Sequence, residues 1–95
     1  AYNQQDYEVA VEGLRKVLIL RPRFERATVL FVRSLAQLEE WIECEELCSA
    51  LERDGVPIRT TAFLRGFVER KRNRINKAIE QFQLAHAAGR RDVAL

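Results

Sequence analysis

The chain is predicted to be all-α, with helix–turn–helix repeats stacked side by side, and three observations predict it. The first is a fixed period. Ala10-x3-Leu14-x2-Val17 recurs as Cys44-x3-Cys48-x2-Leu51 and again as Ala78-x3-Phe82-x2-Ala85, each step being 34 residues. Tyr7, Trp41 and Ile75 keep that interval, as do Glu12, Glu46 and Glu80. Self-similarity at a fixed period marks a repeat array, in which each unit buries its apolar face against its neighbours. The second is the spacing inside the motif. A small residue, a larger apolar one four later and another three after that lie on one face of a helix. The third is punctuation. Pro22, Asp54-Gly55 and Val56-Pro57 break the helical stretches, and no segment carries the alternation of a strand.

Taken in order, residues 1–4 resemble the end of a helix, and Asp6 is placed to cap the next one, at 6–20. Val9, Ala10, Leu14, Val17, Leu18 and Leu20 form its apolar side, and Pro22 ends it. A second helix at 24–37 has Ala27, Leu30, Phe31, Leu35 and Leu38 on its apolar side. After a short connection at Glu39–Glu40, a third runs 41–53 and ends at Gly55, a residue suited to a left-handed cap. A fourth covers 58–71 and a fifth 75–88, closed by Gly89, with 90–95 as the opening of another. The whole is one domain over 1–95, read as a piece of a longer repeat protein with truncated repeats at both ends.

Bulk composition narrows the functional classes. The net charge of +2, from 16 basic and 14 acidic residues, is too balanced to argue by itself for nucleic acid or a membrane surface. No apolar run approaches the roughly 18 residues of a membrane span. Cys44 and Cys48 fall four apart on a helix, where buried cysteines act as small hydrophobes; a zinc site wants about four ligands, and His86 is distant in sequence. Unpaired core thiols fit a reducing, cytoplasmic setting. The four glycines are scattered at 13, 55, 66 and 89, so there is no phosphate-cradling loop, and His86 has no nucleophile nearby in sequence. No catalytic residue, cofactor site or metal site is expected.

These motifs together resemble the tetratricopeptide repeat, a helix–turn–helix unit of 34 residues. Ala10, Leu14, Val17 and Pro22 match its second-helix pattern closely. Ala78, Phe82 and Ala85 match with Arg90 in place of Pro; Cys44, Cys48 and Leu51 match with Val56 in place of Pro, and Pro57 follows. The first-helix pattern is answered by Thr28-x2-Phe31-Val32-x2-Leu35. For the fourth helix a step of 34 gives Ala62-x2-Arg65-Gly66-x2-Glu69, and a step of 32 gives Thr60-x2-Phe63-Leu64-x2-Phe67. Burying unpaired charge costs several kcal/mol, whereas a two-residue change of loop length costs a few tenths. The expected step for this helix is therefore 32, with a tighter turn at 54–57 and a longer one at 71–74. The expected core holds Ala10, Leu14, Phe31, Leu35, Cys48, Leu51, Phe63, Phe67, Ala78 and Phe82.

The resemblance implies a right-handed α-solenoid whose first helices line a concave groove for a partner peptide or helix. It places Arg26, Val29, Arg33, Ala36 and Gln37 on that groove, and in the 32-residue register Thr61, Arg65, Val68 and Glu69, with Arg33 and Arg65 at equivalent places. The Lys–Asn–Asn–Lys–Arg set with which some members clamp a C-terminal carboxylate is absent. Guanidinium groups suit carboxylates because they offer two parallel hydrogen bonds. The expected function is thus a non-catalytic protein–protein interaction scaffold, taking a segment with apolar and acidic residues. The alternative is a structural or regulatory segment packed inside a larger, even enzymatic, protein. The basic run Arg65, Arg70, Lys71, Arg72, Arg74 and Lys77 gives nucleic-acid binding the weakest support of the three. Exposed apolar residues at the cut ends, Tyr2 with Val9 and Val93 with Leu95, are expected to favour end-to-end self-association.

Overall fold

The computed structural model describes residues 4–22 and 24–94, and the side chains among them up to 89. Tyr2, the side chain of Val93, and Leu95 lie outside the described residues, as does most of the stretch read as the end of an earlier helix. Five helices follow one another: α1 (Gln4–Leu20), α2 (Glu25–Gln37), α3 (Trp41–Arg53), α4 (Ile58–Lys71) and α5 (Ile75–Ala94). No strand occurs among the described residues. Each helix packs on its sequence neighbours, α2 also packs on α4, and α1 and α5 do not meet.

Two boundaries differ from the sequence reading. Helix α1 starts at Gln4, so Asp6 sits in its first turn, where its charge opposes the positive end of the helix dipole, and does not cap it. Helix α5 does not stop at Gly89 but runs to Ala94, so 90–95 opens no separate helix. A lone glycine costs a helix only about 1 kcal/mol against alanine, and Gly89 follows Ala85, Ala87 and Ala88. The left-handed backbone that would end the helix is at Gly55 instead, with φ 85°.

The 34-residue step holds in the backbone itself. At the end of α2 the N–H of Leu38 donates to Ser34, that of Glu39 to Ala36 and that of Glu40 to Leu35. At the end of α4 the N–H of Arg72 donates to Val68, that of Asn73 to Arg70 and that of Arg74 to Glu69. Every donor and acceptor is displaced by 34. This is the Schellman closure, which satisfies the last carbonyls of a helix through one residue in the left-handed region. Glu39 (φ 60°) and Asn73 (φ 63°) hold that place.

The expected 32-residue register for α4 is therefore wrong, and so is the longer turn at 71–74. The objection to 34 was unpaired buried charge, and neither charge is unpaired. Arg65 donates to Ser49 Oγ at 3.3 Å and to the Glu52 carboxylate of α3. Glu69 lies 3.9 Å from the Arg72 guanidinium and 3.8 Å from that of Arg74. Phe63, expected in the core, is 51% exposed. Its counterpart at the true step is Val29, itself half-buried.

The core is a continuous apolar cluster of Val11, Phe31, Val32, Leu35, Ala36, Cys44, Cys48, Leu51, Leu64, Phe67 and Val68. Ala78 is buried, while Ala10, Leu14 and Phe82 are only half-buried. Helices α4 and α5 pack most extensively, and Gly66 explains why. A Cβ at Gly66 would stand 2.6 Å from Cε1 of Phe82, so the ring occupies the space a side chain would need. On the other flank Arg15 of α1 reaches across to Glu43 of α3 through two parallel hydrogen bonds of 2.8 and 2.9 Å.

Candidate partner-binding face

Helices α2 and α4 lie side by side, and one face of the pair is built from both. From α2 it takes Val29, Arg33 and Gln37; from α4 it takes Thr60, Phe63, Phe67, Arg70 and Lys71. Phe67 is its centre. The ring is mostly covered, and three cations cover it: Arg33 at 5.2 Å from the centroid, Arg70 at 5.6 Å and Lys71 at 5.7 Å. A ring face attracts a cation through its quadrupole, which explains one such contact readily. Three positive heads around one ring also repel one another. None of the three makes an ion pair with another described residue.

Beside Phe67 a hollow of about 400 Å³ is lined by Tyr7, Ala10, Leu30, Arg33, Ser34 and Gln37, with Asp6 at its edge. A larger, more open hollow of about 900 Å³ lies towards the other end of α4, where Val29 meets Thr60, Phe63 and Leu64. The half-exposed Phe63 ring stacks at an angle on Phe82, their centroids 5.8 Å apart. The face thus carries apolar floor and unpaired positive charge together, the requirements for holding a segment that is both apolar and acidic.

The residues singled out from the sequence divide. Arg33, Gln37 and Val29 do line these hollows, and Arg26 is exposed at the start of α2. Ala36, Thr61 and Val68 are buried in the core and present nothing to a partner. Arg65 is not the counterpart of Arg33: it faces α3. Burial alone lowers its pKa, but the hydrogen bond and charge of Glu52 outweigh that and hold it above its ordinary value. Glu69 sits between Arg72 and Arg74 and is likewise turned from this face. The cause of all four misplacements is the two-residue register error on α4. Keeping the step at 34 would have placed Phe63 and Phe67 against Val29 and Arg33, and Arg70 and Lys71 against Ala36 and Gln37.

The basic run does not form one surface. Arg65 pairs with Glu52, Arg72 with Glu45 at 3.0 Å, and Arg74 lies by Glu69. Arg72 also lies over the Trp41 ring, 5.6 Å from its centroid.

Cys44 and Cys48 are buried and not disulfide-bonded. The Cys44 thiol donates to the Val32 carbonyl across the α2–α3 interface at 3.6 Å. Burial pushes Cys44 up to about 12 and Cys48 up to about 11. Such thiols stay protonated at neutral pH and make poor nucleophiles or metal ligands without a change of structure.

No protein-family model matches the chain, and neither a curated protein nor a solved structure does.

Proposed function

We propose that this chain is a non-catalytic protein–protein interaction module of the tetratricopeptide type, an α-solenoid that holds a partner's segment along the face shared by α2 and α4. The observation that carries the reading is the set of three cations, Arg33, Arg70 and Lys71, gathered over Phe67 without a carboxylate pairing them among the described residues. A carboxylate arriving there relieves their mutual repulsion and gains charge-assisted hydrogen bonds. Phe63, Val29 and Leu30 supply apolar contact on either side. The preferred partner segment therefore alternates acidic and apolar residues, reaching down with one set and pairing with the other. The repeat architecture supports the same reading: a stack of hairpins presents an extended face of equivalent helices.

Selection from a displayed library of random peptides, followed by sequencing, tests the preference. Enrichment of alternating acidic and apolar residues is the expected result. Arg33→Ala and Arg70→Ala should each weaken a selected peptide by about tenfold, the cost of one partly desolvated charge-assisted pair. Arg53→Ala on the exposed side of α3 and Arg65→Ala on the α3 interface should leave affinity within about twofold. If the Arg53 or Arg65 variants lose binding while the Arg33 and Arg70 variants keep it, the face is wrongly assigned.

A further inference from the structure

The 34-residue step also identifies a second surface. On α3, the surface that receives α4 consists of Trp41, Glu45, Cys48, Ser49 and Glu52. Arg65 of α4 bonds Ser49 and Glu52, Arg72 bonds Glu45 and lies over Trp41, and Cys48 is buried beneath them. As the residue number rises on α4 it falls on α3, so the two helices run antiparallel. Moving 34 residues along gives Ile75, Ile79, Phe82, Gln83 and His86 on α5.

No described residue covers this second copy. Ile75 is 50% exposed and Ile79 47%; Gln83 and His86 are exposed, and Phe82 is half-buried. The substitutions between the two copies point one way. Glu45, which takes Arg72 on α3, becomes Ile79 on α5, and Trp41 becomes Ile75, so the upper half turns wholly apolar. Glu52, which takes Arg65, becomes His86. At the lower end the surface runs into the large hollow between Phe63, Phe82, Ala85 and Gly89. Ile75, Ile79, Phe82 and His86 fall at i, i+4, i+7 and i+11, a straight stripe along one side of the helix.

We propose that this stripe of α5 is a docking site for one amphipathic α-helix, lying antiparallel to α5 as α4 lies against α3. The interface already present one period earlier sets the geometry, and the changed residues set the chemistry of the occupant. Where α4 offers Arg72, the docking helix offers an apolar residue to Ile79. Where α4 offers Arg65, it offers a carboxylate to His86 and Gln83. Between them it carries small or β-branched residues, as α4 does with Thr61 and Val68. This site is separate from the α2–α4 face and stands whether or not that face binds a peptide.

The probe is a synthetic peptide of residues 58–71 carrying Arg65→Glu and Arg72→Leu, titrated into the isotope-labelled chain and followed by backbone amide shifts. The expected result is saturable shifts centred on Ile75, Ile79, Gln83 and His86, with Arg33 and Phe67 unmoved. Ile79→Asp, and independently Ile75→Asp, should each weaken the peptide at least tenfold, and both positions are exposed enough to leave the fold intact. The unsubstituted 58–71 peptide should bind at least tenfold more weakly, because it sets Arg65 against His86 and Arg72 against Ile79. No shifts at millimolar peptide would overturn the proposal, as would shifts confined to the α2–α4 face. Peptide-independent dimerisation abolished by Ile79→Asp would also overturn it, since the stripe would then be taken by a second copy.

Discussion

The α2–α3 and α4–α5 hairpins share their turns bond for bond, yet they fill the space between their helices in different ways. In the first hairpin bulk is on the leading helix: Val32 and Leu35 are buried opposite the small Cys44 and Cys48. In the second, bulk has crossed over. Gly66 replaces Val32, Phe82 replaces Cys48, and the ring lies against the glycine backbone. Leu35 becomes Glu69, whose Oε2 is buried without a hydrogen bond while Arg72 and Arg74 stand just under 4 Å off. Identical backbone closure with exchanged side-chain volume shows that the period fixes helix placement, while packing density is a property of the pair of positions.

The largest contrast is expected at Leu35 and Glu69. Leu35→Ala leaves a cavity at a position that is almost wholly buried and should cost about 3 kcal/mol in denaturant unfolding. Glu69→Leu, which copies the first hairpin into the second, should be neutral or stabilising by about 1 kcal/mol, because the carboxylate is desolvated and poorly paired. A loss of more than about 2 kcal/mol for Glu69→Leu would show instead that the ion pairs hold the α4–α5 turn in place.

The thiols provide the next contrast, since only the first hairpin has them. An ordinary thiol titrates near 9.0, and Cys44 and Cys48 are raised to about 12 and 11. Above pH 9 the unfolded chain loses these protons and the folded one keeps them, so the folded state binds more protons and stability falls as pH rises. Their contribution is complete below pH 9 and lost towards pH 11–12, at about 1.4 kcal/mol per thiol per pH unit. Unfolding followed from pH 8 to 11 should show a steeper decline for the chain than for its Cys44→Ala, Cys48→Ala variant. Parallel profiles would mean the thiols ionise in the folded state.

The smallest effect distinguishes the two turns. Glu39 holds a left-handed backbone that strains most side chains, whereas Asn73 tolerates it. Glu39→Gly should therefore raise stability by about 0.5–1 kcal/mol, and Asn73→Gly by less. Equal gains at both sites would indicate that Glu39 is relieved by a contact of its own.

How much of this was legible in the sequence follows the same division. The 34-residue period, the existence of five helices and most inner boundaries were readable, because small and large apolar residues recur at helical spacing in α1, α3 and α5. The register of α4 was not, because Arg65 and Glu69 look unfit for an inner face when judged singly. Their fitness depends on Ser49 and Glu52 in one case and Arg72 and Arg74 in the other, contacts that only the folded arrangement supplies. Gly66 was the available signal, since a glycine at the place of Val32 asks for a large neighbour one helix on, and Phe82 answers it. The candidate face inherited the error: its α2 half held, and its α4 half named buried Thr61 and Val68 in place of Phe63, Phe67, Arg70 and Lys71.

The direct test of the account is a double-mutant cycle on Gly66 and Phe82, with unfolding free energy measured for each member. Gly66→Val places its Cβ where the ring now stands, and Phe82→Cys leaves the glycine facing a void, so each alone should cost about 2 kcal/mol or more. Together they reproduce the Val32–Cys48 pairing of the first hairpin. The account predicts that the double variant recovers most of the loss, with a coupling of at least about 2 kcal/mol. Losses that simply add would contradict it, because the two hairpins would then not be interchangeable solutions to one packing problem.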